Sequence, residues 1–141
     1  MTGKDIPIAE GLFTWPDPEP RLIGSRCDDC GRVTFPRQAS CPACCSTHVR
    51  EHLLARRGTL WTFTVQNFLP KLPYASGETP ETFVPFGVGY VELPGEVRVE
   101  ARLTENDPDK LRIGMPMELV IVPFRTTESG DRVMTFAFRP V

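Results

Sequence analysis

Alternation between apolar and polar residues runs through most of the chain after Gly58, and a period of two is typical of half-buried β-strands. The alternation is clearest where charged residues separate Val97, Val99, Ala101 and Leu103. The pattern predicts a mainly β chain with five strands, over residues 60–65, 83–92, 97–103, 117–124 and 133–138.

Two details refine these predicted strands. In the first strand, strict alternation places Trp61, Phe63 and Val65 on one face. In the second strand, Gly87 and Gly89 suit a bend or bulge, because glycine inside a strand often marks a close approach of backbone. We therefore expect the second strand to be curled.

A short polar segment between the third and fourth strands carries the signals of a helix. Asp107 suits the N-cap, Pro108 the first helical position and Gly114 the C-terminal cap. Three strands, one short helix and two more strands follow the order of an OB-fold, a five-stranded and partly open barrel. The sequence therefore predicts an OB-fold barrel in the second half of the chain.

Two C-x2-C pairs, Cys27 with Cys30 and Cys41 with Cys44, form the strongest chemical motif. Each pair can direct two thiolates at one ion from a single tight turn, and two such turns complete a tetrahedral site with metal–sulfur distances of about 2.3 Å. The doubled pair predicts a zinc ribbon. Four protein ligands leave no open position, so the predicted zinc ion, one per chain, is structural.

Other interpretations of the cysteines compete with zinc. Iron is the main alternative, because sulfur tetrahedra accept both metals. Disulfides would need an oxidising compartment, and no signal peptide is visible. A thioredoxin-like redox pair would need a βαβ context, which the pattern lacks. Cys45 and His48 follow the second pair, and we predict that neither is a ligand because four thiolates suffice.

The chain before the barrel divides into an arm and the ribbon. Four prolines in the first 20 residues favour an extended arm. The arm carries Leu12, Phe13 and Trp15, which either fold back onto the domain or dock on a partner. The predicted segments are the proline-rich arm, the zinc ribbon and the OB-fold barrel, at residues 1–20, 21–52 and 53–141.

Composition narrows the functional classes. The 141 residues are near the usual size of one domain, and 16 basic against 18 acidic residues give a net charge of −2. This balance disfavours a surface built for nucleic-acid phosphates. No apolar run approaches the roughly 20 residues that cross a bilayer, and no export signal is visible. We expect a cytoplasmic protein that does not enter a membrane.

Together, the ribbon and barrel motifs resemble the rubredoxin-like zinc-ribbon plus OB-fold family, of the domain of unknown function 35 type. The resemblance covers roughly residues 21–141. Many members begin with a helical hairpin, whereas this chain has the short proline-rich arm. The matching motifs are Arg26-Cys27-x2-Cys30-Gly31-x3-Phe35-Pro36-x4-Cys41-Pro42-x-Cys44, Gly58-x2-Trp61-x-Phe63-Thr64-Val65, Asp107-Pro108-Asp109-x-Leu111-x-Ile113-Gly114-Met115-Pro116 and Phe138-Arg139-Pro140.

The resemblance implies a non-catalytic accessory subunit of a thiolase-like or acyl-CoA aldolase complex. A larger partner would carry the chemistry of thiolytic or retro-aldol carbon–carbon bond cleavage or condensation, and this chain would support it and help to bind coenzyme A or acyl-CoA. The residues themselves predict no independent active site. Cys45 near His48 lacks a visible oxyanion stabiliser, and no phosphate-binding glycine loop is present.

Basic residues after the ribbon suggest where coenzyme A phosphates could bind at the complex interface. Arg56 and Arg57 lie at the ribbon–barrel junction, and Lys71 lies in the long connection over residues 68–86. That connection, which also carries Tyr74 and Phe83, either covers the acyl-CoA entrance of the partner or is a surface loop.

Two other functions remain open at this point. An OB-fold can bind single-stranded nucleic acid, with aromatic residues such as Trp61 and Phe63 as stacking platforms. A stand-alone redox or metal-storage protein would require iron in place of zinc.

Overall fold

The computed structural model describes residues 3–71 and 76–141 and is almost entirely β. One 3₁₀ helix, Pro108–Lys110, is the helical element of these ranges. The strands, in chain order, are β1 Asp5–Pro7, β2 Ile23–Cys27, β3 Val33–Thr34, β4 Val49–Leu53, β5 Arg57–Gln66, β6 Phe86–Glu92, β7 Arg98–Leu103, β8 Pro116–Thr126 and β9 Arg132–Pro140.

Strands β5 to β9 close into a five-stranded barrel. The antiparallel meander β5–β6–β7 continues to β9 through a parallel pairing of β7 with β9. The hairpin β8–β9 then returns to β5, because Arg57–Thr59 pairs with Pro116–Glu118. This closure confirms the predicted OB-fold barrel, and all five predicted strands lie in it.

The barrel interior is filled by large apolar side chains from every strand. Leu60, Val91, Leu103, Leu119 and Phe138 expose 2% of their surface or less. Glycine is required where β6 curls across this core. A Cβ atom at Gly89 would lie 2.6 Å from the carbonyl oxygen of Thr62, closer than real contacts allow.

A β-bulge in β5 overturns the predicted sharing of one face by Trp61, Phe63 and Val65. The pairing of β5 with β6 shifts register between Leu60 and Thr62. Leu60 therefore points into the core, and Phe63 beyond the bulge packs against the same core. Trp61 remains 45% exposed on the outer face. Strict alternation fails here because one extra residue interrupts the period of two.

The helical segment between β7 and β8 is one tight turn. The side chain of Asp107 accepts a hydrogen bond from the backbone N–H of Asp109 at 2.9 Å, as an N-cap does. The C-cap is Leu111 rather than the expected Gly114. Gly114 has φ +90° and donates its N–H to the carbonyl of Leu60 at 2.7 Å, so it fastens the segment to β5 instead.

The arm folds back onto the barrel, which is one of the two alternatives for its apolar residues. Strand β1 pairs in parallel with β9, and Asp5 forms an ion pair with Arg132. Phe13 is buried in the common core, and Trp15 packs against its edge. The indole N–H of Trp15 also donates to the carbonyl of Asp5 at 3.1 Å.

The ribbon is a three-stranded sheet in the order β3–β2–β4. Buried apolar side chains that it shares with the barrel join the two, and polar contacts add to them. His52 on β4 contacts Glu96 in the β6–β7 turn at 2.5 Å, and Glu96 also accepts the N–H of Ala55. The guanidinium of Arg21 donates to the carbonyls of Leu53 and Leu54, at the end of β4 where the chain leaves the ribbon. Within the described ranges, no helix is long and apolar enough to cross a membrane.

Candidate metal centre and charged face of the barrel

Four cysteine sulfur atoms meet at the tip of the ribbon. Cys27 at the end of β2 and Cys30 in the following turn face Cys41 and Cys44 of the second turn. The four Sγ atoms all lie within 4.8 Å of one another. The structure thus brings together the four residues that the C-x2-C spacing selected.

The arrangement of these sulfur atoms fits a tetrahedral metal site. The Sγ atoms of Cys27 and Cys44 are 3.6 Å apart, and those of Cys30 and Cys41 are 3.5 Å apart. A tetrahedron with metal–sulfur bonds of about 2.3 Å has edges of about 3.8 Å. The four thiols can therefore surround one zinc-sized ion with little movement.

The two turns have the same backbone design. The N–H of Gly31 donates to the carbonyl of Cys27, and the N–H of Cys45 donates to the carbonyl of Cys41, both at 2.9 Å. Each turn ends on a residue with positive φ, +78° at Gly31 and +63° at Cys45. Cys45 occupies the position that glycine fills in the first turn, and it is not a member of the sulfur cluster.

Backbone N–H groups determine which thiol ionises most easily. The N–H of Cys44 and that of Ala43 hydrogen-bond the sulfur of Cys41 and lower its pKa to about 7. At Cys44, the N–H of Ser46 favours the thiolate, but the neighbouring thiols outweigh it and raise the pKa to about 12. Neighbouring thiols thus oppose ionisation at Cys44, and a bound cation would offset this effect.

Polar side chains around the cluster hold the two turns in place. Arg50 on β4 contacts Asp28 at 2.6 Å. The carboxylate of Asp29 accepts hydrogen bonds from the Ser46 hydroxyl and contacts Nδ1 of His48 at 3.1 Å. His48 is therefore an outer contact of the ribbon and lies outside the sulfur cluster. The low pKa of Asp29 results chiefly from its bonds to Ser46 and His48.

The residues predicted to contact coenzyme A have different surroundings. Arg56 donates to the carbonyls of Pro20 and Leu119 at 3.0 and 3.1 Å, so its guanidinium is largely engaged by backbone. Arg57 is mostly exposed and forms an ion pair with Glu118 at 3.1 Å. Lys71 lies in the β5–β6 connection, next to residues 72–75. Tyr74, named above as part of that connection, lies outside the described residues.

Glu118 and Arg139 are charged residues that the sequence pattern did not single out. Glu118 is 8% exposed although it lies on the outer face of β8, because Arg57 and Arg139 cover it. Its bonds to Arg139 and then to Arg57 hold the pKa of its carboxyl below the usual range. Only the register of β5, β8 and β9 brings these residues together, and a single sequence does not reveal that register.

Two family models match consecutive parts of the chain. One is described as the rubredoxin-like zinc ribbon domain of ChsH2 and matches residues 14–49. The other is described as the C-terminal OB-fold domain of ChsH2 and matches residues 51–122. The family match and the four clustered thiols together support a structural zinc site.

Curated relatives match most of the chain. A benzoylsuccinyl-CoA thiolase subunit, BbsA, from Thauera aromatica is 33% identical over 122 residues, which are 86% of this chain and 78% of that protein. A DUF35 domain-containing scaffold protein from Methanocaldococcus jannaschii is 32% identical over 120 residues, covering 84% of this chain and 79% of that one.

A solved structure shares the same architecture. The Ltp2-ChsH2(DUF35) aldolase contains a chain that superposes with a TM-score of 0.63 at 27% sequence identity. The superposition covers 85% of this chain and 84% of that chain. The similarity therefore includes both ribbon and barrel.

Proposed function

Because the chain belongs to the DUF35 family of zinc-ribbon and OB-fold proteins, we propose that it is an accessory subunit of a thiolase-like acyl-CoA enzyme complex. The observation that carries this proposal is the 33% identity, over most of both chains, to a protein named as a thiolase subunit. The similarity to a chain of an aldolase that is named as a two-protein assembly points the same way. The partner would catalyse thiolytic or retro-aldol cleavage, or the reverse condensation.

The role of the metal in this proposal is structural. Cys27, Cys30, Cys41 and Cys44 would hold one zinc ion, and all four ligand positions would be taken by sulfur. The ion would supply the positive charge that lets the remaining thiols ionise. A ribbon fixed in this way presents a rigid surface to a partner, with little loss of conformational entropy on binding.

The partner, rather than this chain, would supply the catalytic groups. Both histidines are engaged by carboxylates, His48 by Asp29 and His52 by Glu96, and both contacts serve the ribbon. Cys45 closes a turn of the metal cluster. A cytoplasmic location, where thiols stay reduced, is part of the proposal.

A more specific part of the proposal is that this chain helps the complex to bind coenzyme A. Arg56, Arg57 and Lys71 are the candidates for its phosphates, and the engagement of Arg56 by backbone carbonyls leaves Arg57 and Lys71 as the more accessible donors. Lys71→Gln should raise the KM for the coenzyme severalfold while the complex stays intact. An unchanged KM would remove Lys71 from the proposed contact.

Co-expression with a thiolase-like protein from the same genome tests the main proposal. We expect a complex that survives size-exclusion chromatography and that cleaves or condenses acyl-CoA, whereas each subunit alone is inactive. Full activity and stability of the large subunit alone would contradict an accessory role.

Single-stranded nucleic acid is the alternative ligand, favoured by the exposed ring of Trp61 with Arg98 stacked on it. The net charge of −2 leaves little counterion release to drive such binding, so we expect weak binding in a mobility-shift assay. Tight, strongly salt-dependent binding would favour this alternative.

A further inference from the structure

Three charged side chains form a row across the outer face of the barrel. Strand register places Arg57 of β5 opposite Glu118 of β8, and Glu118 opposite Arg139 of β9. One oxygen of Glu118 accepts a hydrogen bond from Nε of Arg57 at 3.1 Å, and the other accepts one from Nη2 of Arg139 at 2.5 Å. We call these three residues the arginine row.

The arginine row carries an excess of positive charge that faces solvent. The Glu118 side chain is 11% exposed and both its oxygens are occupied, whereas the side chains of Arg57 and Arg139 are 69% and 51% exposed. Arg56 adds a third guanidinium, 3.8 Å from the same carboxylate. Three positive charges thus surround one negative charge, in a chain whose net charge is −2.

The row continues into an exposed aromatic cluster along β5. Thr59 and Trp61 are the next outward positions after Arg57, and Trp61 lies about 13 Å from Arg57 along the strand. The guanidinium of Arg98 stacks 4.0 Å from the Trp61 ring centre, and Tyr90 meets that ring edge-on. Arg98 is also paired with Glu92 at 2.8 Å, and the Tyr90 hydroxyl donates to Glu100, so this end of the face supplies aromatic surface and the arginine row supplies the positive charge. Arginine, tryptophan and tyrosine are the residues that most often dominate protein–protein binding.

We infer that this face, from Arg139 across Arg57 to Trp61, docks an acidic segment of the catalytic partner. The inference rests on the proposed function, and it assigns Arg57 to the partner, which leaves Lys71 as the accessible candidate for coenzyme A phosphates. The two guanidiniums share one carboxylate, so they lie within about 8 Å of each other. Residues one helical turn apart have Cβ atoms about 5–6 Å apart, so two acidic side chains on one turn can reach both guanidiniums.

The shape of the face favours a protein over a small anion. Small ligands bind in concave pockets. Two cavities, of about 600 and 540 Å³, are lined by Arg98 at the aromatic end of the face, but no residue of the arginine row lines either of them. Because Glu118 holds both arginines in place, their donors are ordered before the partner arrives, which lowers the entropic cost of docking.

Affinity measurements on the complex test the inference. With the co-purified thiolase-like subunit, Arg57→Gln together with Arg139→Gln should raise the Kd at least tenfold and flatten its dependence on salt. Arg125→Gln and Arg112→Gln together remove the same charge at exposed positions outside the row, and should leave the Kd near wild type.

A second variant separates docking from folding, because the double change leaves the buried Glu118 without Arg57 and Arg139. The triple change Arg57→Gln, Glu118→Gln and Arg139→Gln removes that carboxylate too. It should raise the unfolding temperature above that of the double variant and keep the wild-type zinc content, but it should not restore the affinity. Recovery of wild-type affinity in the triple variant would show that only folding was affected and would overturn the inference.

Two further outcomes distinguish this inference from the proposal on which it rests. If both neutralised variants bind the partner as tightly as wild type, the docking face is wrong although the accessory role stands. If the wild-type chain forms no complex with the thiolase-like protein, both fail.

Saturable binding of inorganic pyrophosphate that the double variant loses, with the Kd for the partner unchanged, would make the row a small-anion site instead.

Discussion

At the scale of single residues, the order in which the cysteines lose their protons depends on where backbone N–H groups point. Cys41 accepts two such bonds and has a pKa of about 7, whereas crowding by other thiols raises that of Cys44 to about 12. Metal binding must therefore displace protons from thiols that resist ionisation, and it should weaken as the pH falls below 7.

The first prediction concerns the ligands. Changing Cys27, Cys30, Cys41 or Cys44 to Ser should remove the metal and destabilise the ribbon together with the core that it shares with the barrel, because the ribbon has few buried apolar residues of its own. Cys45→Ser is the matched control and should retain about one zinc per chain. Elemental analysis of the purified variants measures this. Stoichiometric iron in the wild type, or metal loss in the Cys45 variant, would contradict it.

The second prediction concerns the pH dependence of the Glu118 contacts. The folded-state pKa of Glu118 is depressed, so its ion pairs stabilise the fold above the ordinary carboxyl value of 4.5 and are lost as the pH falls through the folded-state pKa. Glu118→Gln should therefore lower the Tm most near pH 7, and the difference from wild type should shrink below about pH 4. Comparing the two proteins at each pH cancels the effect of acid on the zinc site. A Tm difference that is constant with pH would contradict this origin.

At the scale of secondary-structure elements, the arm is the part whose position the sequence left open. Its apolar residues were equally compatible with folding back or with docking on a partner. The structure shows the first, because β9 offers β1 an unpaired stretch at Arg132–Met134 beyond the end of its pairing with β7. Whether β9 leaves this stretch free to pair with β1 depends on the register between distant strands, which local sequence patterns do not encode.

The third prediction follows from the buried ring of the arm. Phe13 is 4% exposed and belongs to the same core as Leu60 and Phe138, so Phe13→Ala should destabilise the whole fold by about 3–5 kcal/mol. Phe68, which is 73% exposed in the β5–β6 connection, provides the control, and Phe68→Ala should change stability little. Denaturant titration measures both. Equal effects of the two changes would show that the arm does not contribute to the core.

The bulge in β5 shows where strand prediction fails on physical grounds. The period of two predicted a strand at 60–65, and β5 extends beyond it at both ends, from Arg57 to Gln66. The direction in which Trp61 faces depends on one unpaired residue at the register shift. Because of that residue, Trp61 lies outside with Arg98 stacked on it, rather than in the core. The same irregularity thus creates the aromatic end of the proposed docking face.

At the scale of the whole molecule, arm, ribbon and barrel share one hydrophobic core. Phe13 of the arm and Leu22 and Val33 of the ribbon belong to the same buried cluster as Leu119 and Phe138 of the barrel. The strand order and the cysteine spacing were sufficient to predict a ribbon followed by a barrel. The continuity of their cores was not predictable, because it depends on how the ribbon sits against the barrel end.

The last prediction follows from this shared core and concerns metal removal. If zinc held an independent module, chelation would melt the ribbon and leave the barrel transition unchanged. Because Leu22 and Val33 complete the barrel core, we expect instead one cooperative unfolding transition, whose Tm falls sharply when a chelator is added. Differential scanning calorimetry with and without chelator distinguishes the two cases, with restored zinc as the reversal control.

His52→Ala, which removes the contact with Glu96 at the ribbon–barrel junction, should bring the chain closer to two transitions. Two well-separated transitions in the wild-type chelated protein would contradict the shared core as a cooperative unit, and the ribbon would then have to be regarded as a separately folding module.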